Sequence, residues 1–230
     1  MAMHQNAGKS ALGKQDQGGV MGMIFKQKLT GPSVWKGPNF AGDDSWIRPL
    51  DAMQCDELLA AITIVQDAGK CFPNFGVNDF PLPTFGTQLR AWGDELESGP
   101  GFILLRGLPI NGLADDAIDI LYFGLGLHMG VPVRQNPAGD LIGRVMNIGD
   151  LEDRQTRVYE TNAYLPYHTD PSDMVGLLCI RPAKSGGISS LISSGALYNE
   201  MLSRYPEYLS IFYRPMYYPH LGGDEPALAP

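Results

Sequence analysis

The sequence predicts an α+β fold, with helices in the N-terminal half and short strands after Pro132. Three observations carry this. Apolar residues recur at steps of three and four over three stretches before residue 130. After Pro132 the apolar runs shorten, favour β-branched residues, and are separated by Gly, Pro or Asp. Hydrophobic residues are 44% and charged residues 18% of the 230 positions, a composition that builds a core rather than a disordered chain.

Residues 1–24 read as a flexible arm rich in Gly, Gln and Lys. From Asp51 to Ala68, Leu58, Leu59, Ile62 and Val65 have helical spacing, and Gly69 is a natural stop. Phe85, Leu89, Trp92 and Leu96 mark a second amphipathic helix. GFILLRGLPI (101–110) is a compact apolar run between turn residues and predicts a buried strand. Ala114 to His128 predicts a third helix, with Ile118, Leu121, Tyr122 and Leu125 on one side. LIGRVMNIG, RVYETNAYLPYHTD, MVGLLCI and GGISSLISS then predict strands. A last helix is expected over about 196–203, resuming after Pro206.

A net charge of -8 and a pI near 4.9 argue against a nucleic-acid or anionic-membrane surface, since both need clustered cations. No apolar run approaches the roughly 20 residues of a membrane span. The N-terminus lacks the apolar stretch of a secretory signal. Cys55, Cys71 and Cys179 are scattered and form no zinc spacing, so a cytoplasmic location is expected.

The candidate chemistry lies in YHTDPSD, which sets His168 two positions from Asp170. On a strand, that spacing puts both side chains on one face. One imidazole and one carboxylate can share a divalent ion, and two histidines with one carboxylate form the facial triad of non-haem Fe(II) oxygenases. On the pair alone, a polar strand end with a hydrogen-bonded histidine is the plainer reading.

The surroundings of the pair add order. LPYHTDPSDMVGLLCIRPAKSGGISSLISSGALY (165–198) resembles the TauD/TfdA (taurine dioxygenase-like, clavaminate synthase-like) superfamily of Fe(II)/2-oxoglutarate-dependent oxygenases. HTD matches the metal motif, SGGISSLISS the Gly-Gly-x-Thr/Ser segment, and ALYNEML the helix that follows. Upstream, GFILLRGLPI and LGLHMGVPV resemble further family segments, so the resemblance covers roughly residues 85–213. It implies a double-stranded β-helix (jelly roll) with flanking N-terminal helices. It implies His168 and Asp170 as iron ligands and Ser189 as a contact to a 2-oxoglutarate carboxylate. Asn162 and Tyr164 fall where relatives line the substrate pocket, and Asp173 is a candidate to hold a substrate cation or to cap the turn. Arg106 and His128 are read as packing and hydrogen-bonding residues. The implied activity is hydroxylation or desaturation of a small organic molecule by dioxygen, with decarboxylation of 2-oxoglutarate to succinate.

The resemblance also implies a second histidine and an arginine far downstream. The sequence runs sixty residues past Asp170, and the one histidine there, His220, sits in the loop-like YYPHLGGDEP with no Lys or Arg after it. His4 lies in the arm and His128 in a helix before the barrel. Residues 25–230 are therefore expected to be the N-terminal part of such an oxygenase domain, with sheet edges left open. A second copy of the chain is one partner able to cover them. The alternative is a truncated, catalytically inactive relative acting as a binding or assembly module. A small cupin-type barrel using His220 is a third reading, disfavoured by the lack of a strand around that residue.

Overall fold

The computed structural model describes residues 1–4, 24–136, 138–149, 161–170 and 172–215, with the backbone of 217–218 and 227–228. The chain divides into two compact units. The first draws on residues 1–8, 47–94 and 103–189, and the second on 9–46, 95–102 and 190–230.

The first unit is organised by helices. α1 (Ala52–Asp67) begins at a reciprocal cap: the Asp51 carboxylate accepts from Gln54 N at 2.8 Å, and Gln54 Oε1 accepts from Asp51 N at 2.9 Å. It stops before Gly69, whose φ of +67° is left-handed and favours glycine. Leu58, Ala61, Ile62 and Val65 form its buried stripe. Leu59, expected on that stripe, is 36% exposed, because its neighbour Leu58 takes the inward direction about 100° away. α2 (Phe85–Ser98) is capped from outside, as Glu57 Oε1 accepts from the backbone of Thr84 and Phe85 at 2.9 and 3.0 Å. It buries Phe85, Leu89 and Trp92. α3 (Asp115–Met129) carries two carboxylates in its first turn, where the helix dipole favours them.

α1 packs on α3, and the 72–82 segment wedges its aromatics between the helices. Phe80 is fully buried. A Cβ on Gly124 of α3 would lie 2.6 Å from its ring, so only glycine fits there. Phe72 and Phe75 meet Phe123 edge-on at 5.1 Å. His128 Nε2 donates to the Phe80 carbonyl at 2.8 Å, while its Nδ1 is buried without a partner against Gly86. His128 thus serves packing and hydrogen bonding, as read from the sequence.

The sheets are short. β2 (Ile47–Pro49) pairs in parallel with β3 (Leu104–Arg106), Ile47 opposite Leu104. β3 is shorter than the run 101–110 suggested, and Leu104 is 39% exposed rather than buried. β1 (Ala2–His4) is the middle strand of an antiparallel set with β4 (Val131–Pro132) and β5 (Met174–Val175). Met1, Met3 and Met174 are buried there, so the first residues of the expected arm are a strand; residues 5–23 lie outside the described residues.

The other strands expected after Pro132 are irregular backbone where described. That holds for 141–149, 161–170 and the Gly-Gly segment, and MVGLLCI contributes only its first two residues to β5. A strand needs a ladder partner for its N–H and C=O groups. Side chains hold part of this region instead. One Nη of Arg144 donates to both Asp119 oxygens on α3, at 2.6 and 2.7 Å. Partial burial raises the Asp119 pKa, and the guanidinium opposes that rise.

In the second unit Trp35, Phe40 and Phe102 form a triangle of edge-on rings 5.1–5.4 Å apart. Trp35 Nε1 donates to the Pro100 carbonyl at 2.8 Å. α4 (Ser194–Arg204) is capped by Ser193, whose Oγ accepts from Ala196 N at 3.0 Å and donates to the Ser33 carbonyl. Asn199 clasps the backbone of Leu29, accepting from its N–H and donating to its C=O, both at 2.8 Å. A 3-10 segment, Pro206–Tyr213, follows and buries Leu209. β6 (Tyr217–Tyr218) pairs antiparallel with β7 (Ala227–Leu228). Among the described residues no helix is long and apolar enough to cross a membrane.

Gly124→Ala should lower unfolding stability by about 1–3 kcal/mol through overpacking against Phe80. Phe80→Leu in the same chain should recover part of that loss. An unchanged denaturation midpoint for Gly124→Ala would contradict the close approach.

Candidate metal and co-substrate site

The motif lies in irregular backbone immediately before β5. His168 and Asp170 are both exposed, as are Asn162, Tyr164, Asp173 and Ser189. The strand geometry expected for the H-x-D pair is absent, because 161–170 has no ladder partner among the described residues. The turn after the pair is local: Ser172 N donates to the Asp170 carbonyl at 2.9 Å, and Ser172 Oγ to the Met174 carbonyl at 3.2 Å. Asp173 is engaged in an interaction of its own.

The histidine carries the most specific geometry. His168 Nδ1 lies 2.8 Å from the Pro166 carbonyl. A carbonyl only accepts, so Nδ1 carries the proton, and in the neutral form of the ring the lone pair is at Nε2. Metal-binding histidines use this arrangement, one nitrogen fixed by a backbone carbonyl and the other left for the ion.

Two further features hold the backbone beside the motif, and neither was singled out from sequence. Tyr122 of α3 points its hydroxyl at β5, so that a Cβ on Gly176 would come within 3.0 Å of it. The Met1 ammonium donates to that hydroxyl at 3.3 Å and to the Gly176 carbonyl at 3.0 Å. Burial drives the Tyr122 pKa far up. Burial also lowers the Met1 ammonium pKa, while the nearby Asp170 carboxylate pulls it the other way. The sequence signal for the first contact was the lone glycine inside MVGLLCI, which marks close backbone approach. Nothing in the sequence signals Met1.

Farther on, Gly186 and Gly187 take consecutive left-handed conformations, φ +75° and +70°, and turn the chain before Ser189. The described residues do not bring Ser189 into contact with His168 or Asp170. They contain no group of three or more His, Cys, Asp and Glu side chains able to hold a metal ion. His220 lies outside the described residues.

Residues 67–229 match the model of the family described as "Taurine catabolism dioxygenase TauD, TfdA family". The chain belongs to the TauD/TfdA family. It is 31% identical over 209 residues to FR-33289 synthase of Streptomyces rubellomurinus (strain ATCC 31215), covering 90% of this chain and 62% of that protein. It is 30% identical over 188 residues to taurine hydroxylase-like protein SAT17 of Stachybotrys chartarum (strain CBS 109288 / IBT 7711), covering 78% of this chain and 49% of that protein. The chain therefore spans about half to three-fifths of the length of these curated relatives.

The TauD/TfdA match contains every candidate residue from Asn162 to Ser189. By residue type, His168 and Asp170 suit a borderline divalent ion such as Fe(II). The described residues contain no group of three such donors to complete a ligand set.

Nitrogen-15 NMR at a pH where His168 is neutral should show the Nδ1–H tautomer. Dominance of the Nε2–H tautomer would contradict the Pro166 contact.

Proposed function

We propose that this TauD/TfdA chain contributes the iron- and 2-oxoglutarate-binding entrance of a dioxygenase that oxidises a small organic molecule. The observation carrying the proposal is the His168 geometry, with Nδ1 held by Pro166 and Nε2 left open two residues from Asp170, inside the family match. His168 Nε2 and the Asp170 carboxylate would hold Fe(II). Ser189, set off by the Gly186–Gly187 turn, would donate its hydroxyl to a carboxylate of 2-oxoglutarate. Asn162, Tyr164 and Asp173 would face the substrate, offering an amide, a phenol and a carboxylate. The bound iron would supply activation of dioxygen, coupled to decarboxylation of 2-oxoglutarate to succinate. The rest falls to the chain's own residues. The Pro166 carbonyl keeps the His168 proton on Nδ1, and the Tyr122 contact at Gly176 fixes the backbone that follows the motif. The name of one relative, a taurine hydroxylase-like protein, favours hydroxylation as the reaction class.

A second reading rests on a different observation. No three His, Cys, Asp or Glu side chains are grouped to hold a metal ion among the described residues, which favours a catalytically inactive relative that serves as a binding or assembly module.

Adding Fe(II) and 2-oxoglutarate without oxygen separates the two. The dioxygenase reading expects the weak visible charge-transfer band of a 2-oxoglutarate–iron complex, lost in His168→Ala and in Asp170→Ala. A folded sample that shows no band carries the module reading instead.

A further inference from the structure

We propose that the groove between residues 28–39 and α4 is a binding site for a small organic anion with an apolar body, a carboxylate on a short aliphatic chain. The site lies within the second unit, and the proposal does not rest on the oxygenase reading.

The chain itself fixes the groove. Side chains of α4 grip the backbone of the 25–33 strap at every fourth residue. The Tyr198 hydroxyl donates to the Phe25 carbonyl at 2.6 Å, Asn199 holds both backbone groups of Leu29, and Ser193 Oγ donates to the Ser33 carbonyl. Val34 lies so near Gly195 that a Cβ there would come within 2.9 Å of it. Two cavities of about 340 and 380 Å³ open along this seam, and Trp35, Lys36, Ala196 and Glu200 line both. Each has the size of a small-ligand site. Ala196 keeps the groove open, since a longer side chain there would enter it.

The charges at the groove do not balance. Glu200 pairs with Lys36 through Oε1 and with Arg204 through Oε2, the latter at 2.8 Å. Both carboxylate oxygens are thus engaged, and Lys28 lines the first cavity as a third cation. The Lys36 hydrogen bond, with Arg204 and Lys28 nearby, holds the Glu200 carboxyl below its usual range, so it stays ionised and the excess is positive. Exposed ion pairs contribute little to stability, so stability does not account for three cations around one carboxylate. They leave room for a second anion.

The second cavity supplies an apolar shelf. Leu191, Ile192 and Leu197 are 63%, 47% and 51% exposed beside the Trp35 ring. Cations next to an apolar shelf select a ligand with a charged head and an apolar body. An inorganic anion would leave the shelf in water.

Octanoate is titrated calorimetrically into the full chain without iron. Octanamide serves as its neutral match and acetate as the anion without the chain. The expected result is saturable 1:1 binding of octanoate, about tenfold or more tighter than either control. Ala196→Leu, which fills the groove with another good helix former, should weaken octanoate binding about tenfold or more. Lys28→Met, at an exposed position, should weaken it about threefold or more and leave octanamide unchanged. Circular dichroism shows which variants are folded. Three results would overturn the proposal. One is octanamide binding as tightly as octanoate, which means apolar surface alone is read. Another is unchanged octanoate affinity in a folded Ala196→Leu or Lys28→Met sample, which puts the ligand elsewhere. The last is a folded parent chain with no saturable octanoate binding. Failure of the iron experiment leaves all of these outcomes unaffected.

Discussion

A strand needs a ladder partner for its backbone groups, and after Val175 the segment 176–180 has none among the described residues. Met174 is buried where β5 pairs with Met3 of β1, and Tyr122 of α3 approaches Gly176. Val175, Leu177 and Cys179 are exposed. The motif precedes this segment and the Gly-Gly turn follows it. Irregular backbone at His168 and Asp170, and the separation of Ser189 from them, are consequences of the same shortage of ladder partners.

The helical part of the first unit is held differently. α1, α2 and α3 enclose Phe80 and Phe85 in a core whose close contacts are set by small residues, Gly124 under the Phe80 ring and Gly86 under His128. Caps from Asp51 and Glu57 satisfy helix ends from within that group of helices. Its contacts join segments far apart in sequence, as Phe80 with Gly124 and Phe72 with Phe123.

That difference explains what was legible in the sequence. The helices were readable because their period lies within a single segment, and α1, α2, α3 and α4 fall within one or two residues of expectation. The run 101–110 is a strand over three residues, matching the length of Ile47–Pro49, its partner among the described residues. The strands after Pro132 were not readable in the same way. Their periodicity says they can be strands, and whether they are depends on partners distant in sequence. The family was legible through the motifs, and the family match bears that out. The fixed tautomer of His168 was not, because no sequence pattern reports that Pro166 turns its carbonyl toward Nδ1. The Arg144–Asp119 pair, 25 residues apart, was equally invisible.

The helices of the first unit form a packed core, whereas the motif segment has no ladder partner among the described residues. Native-state hydrogen exchange of the full chain, resolved by peptide, tests this most directly. The account predicts strong protection over residues 52–67 and 115–129 and exchange close to the unprotected rate over 161–170 and 176–193. Protection of 161–193 equal to that of the helices would contradict it.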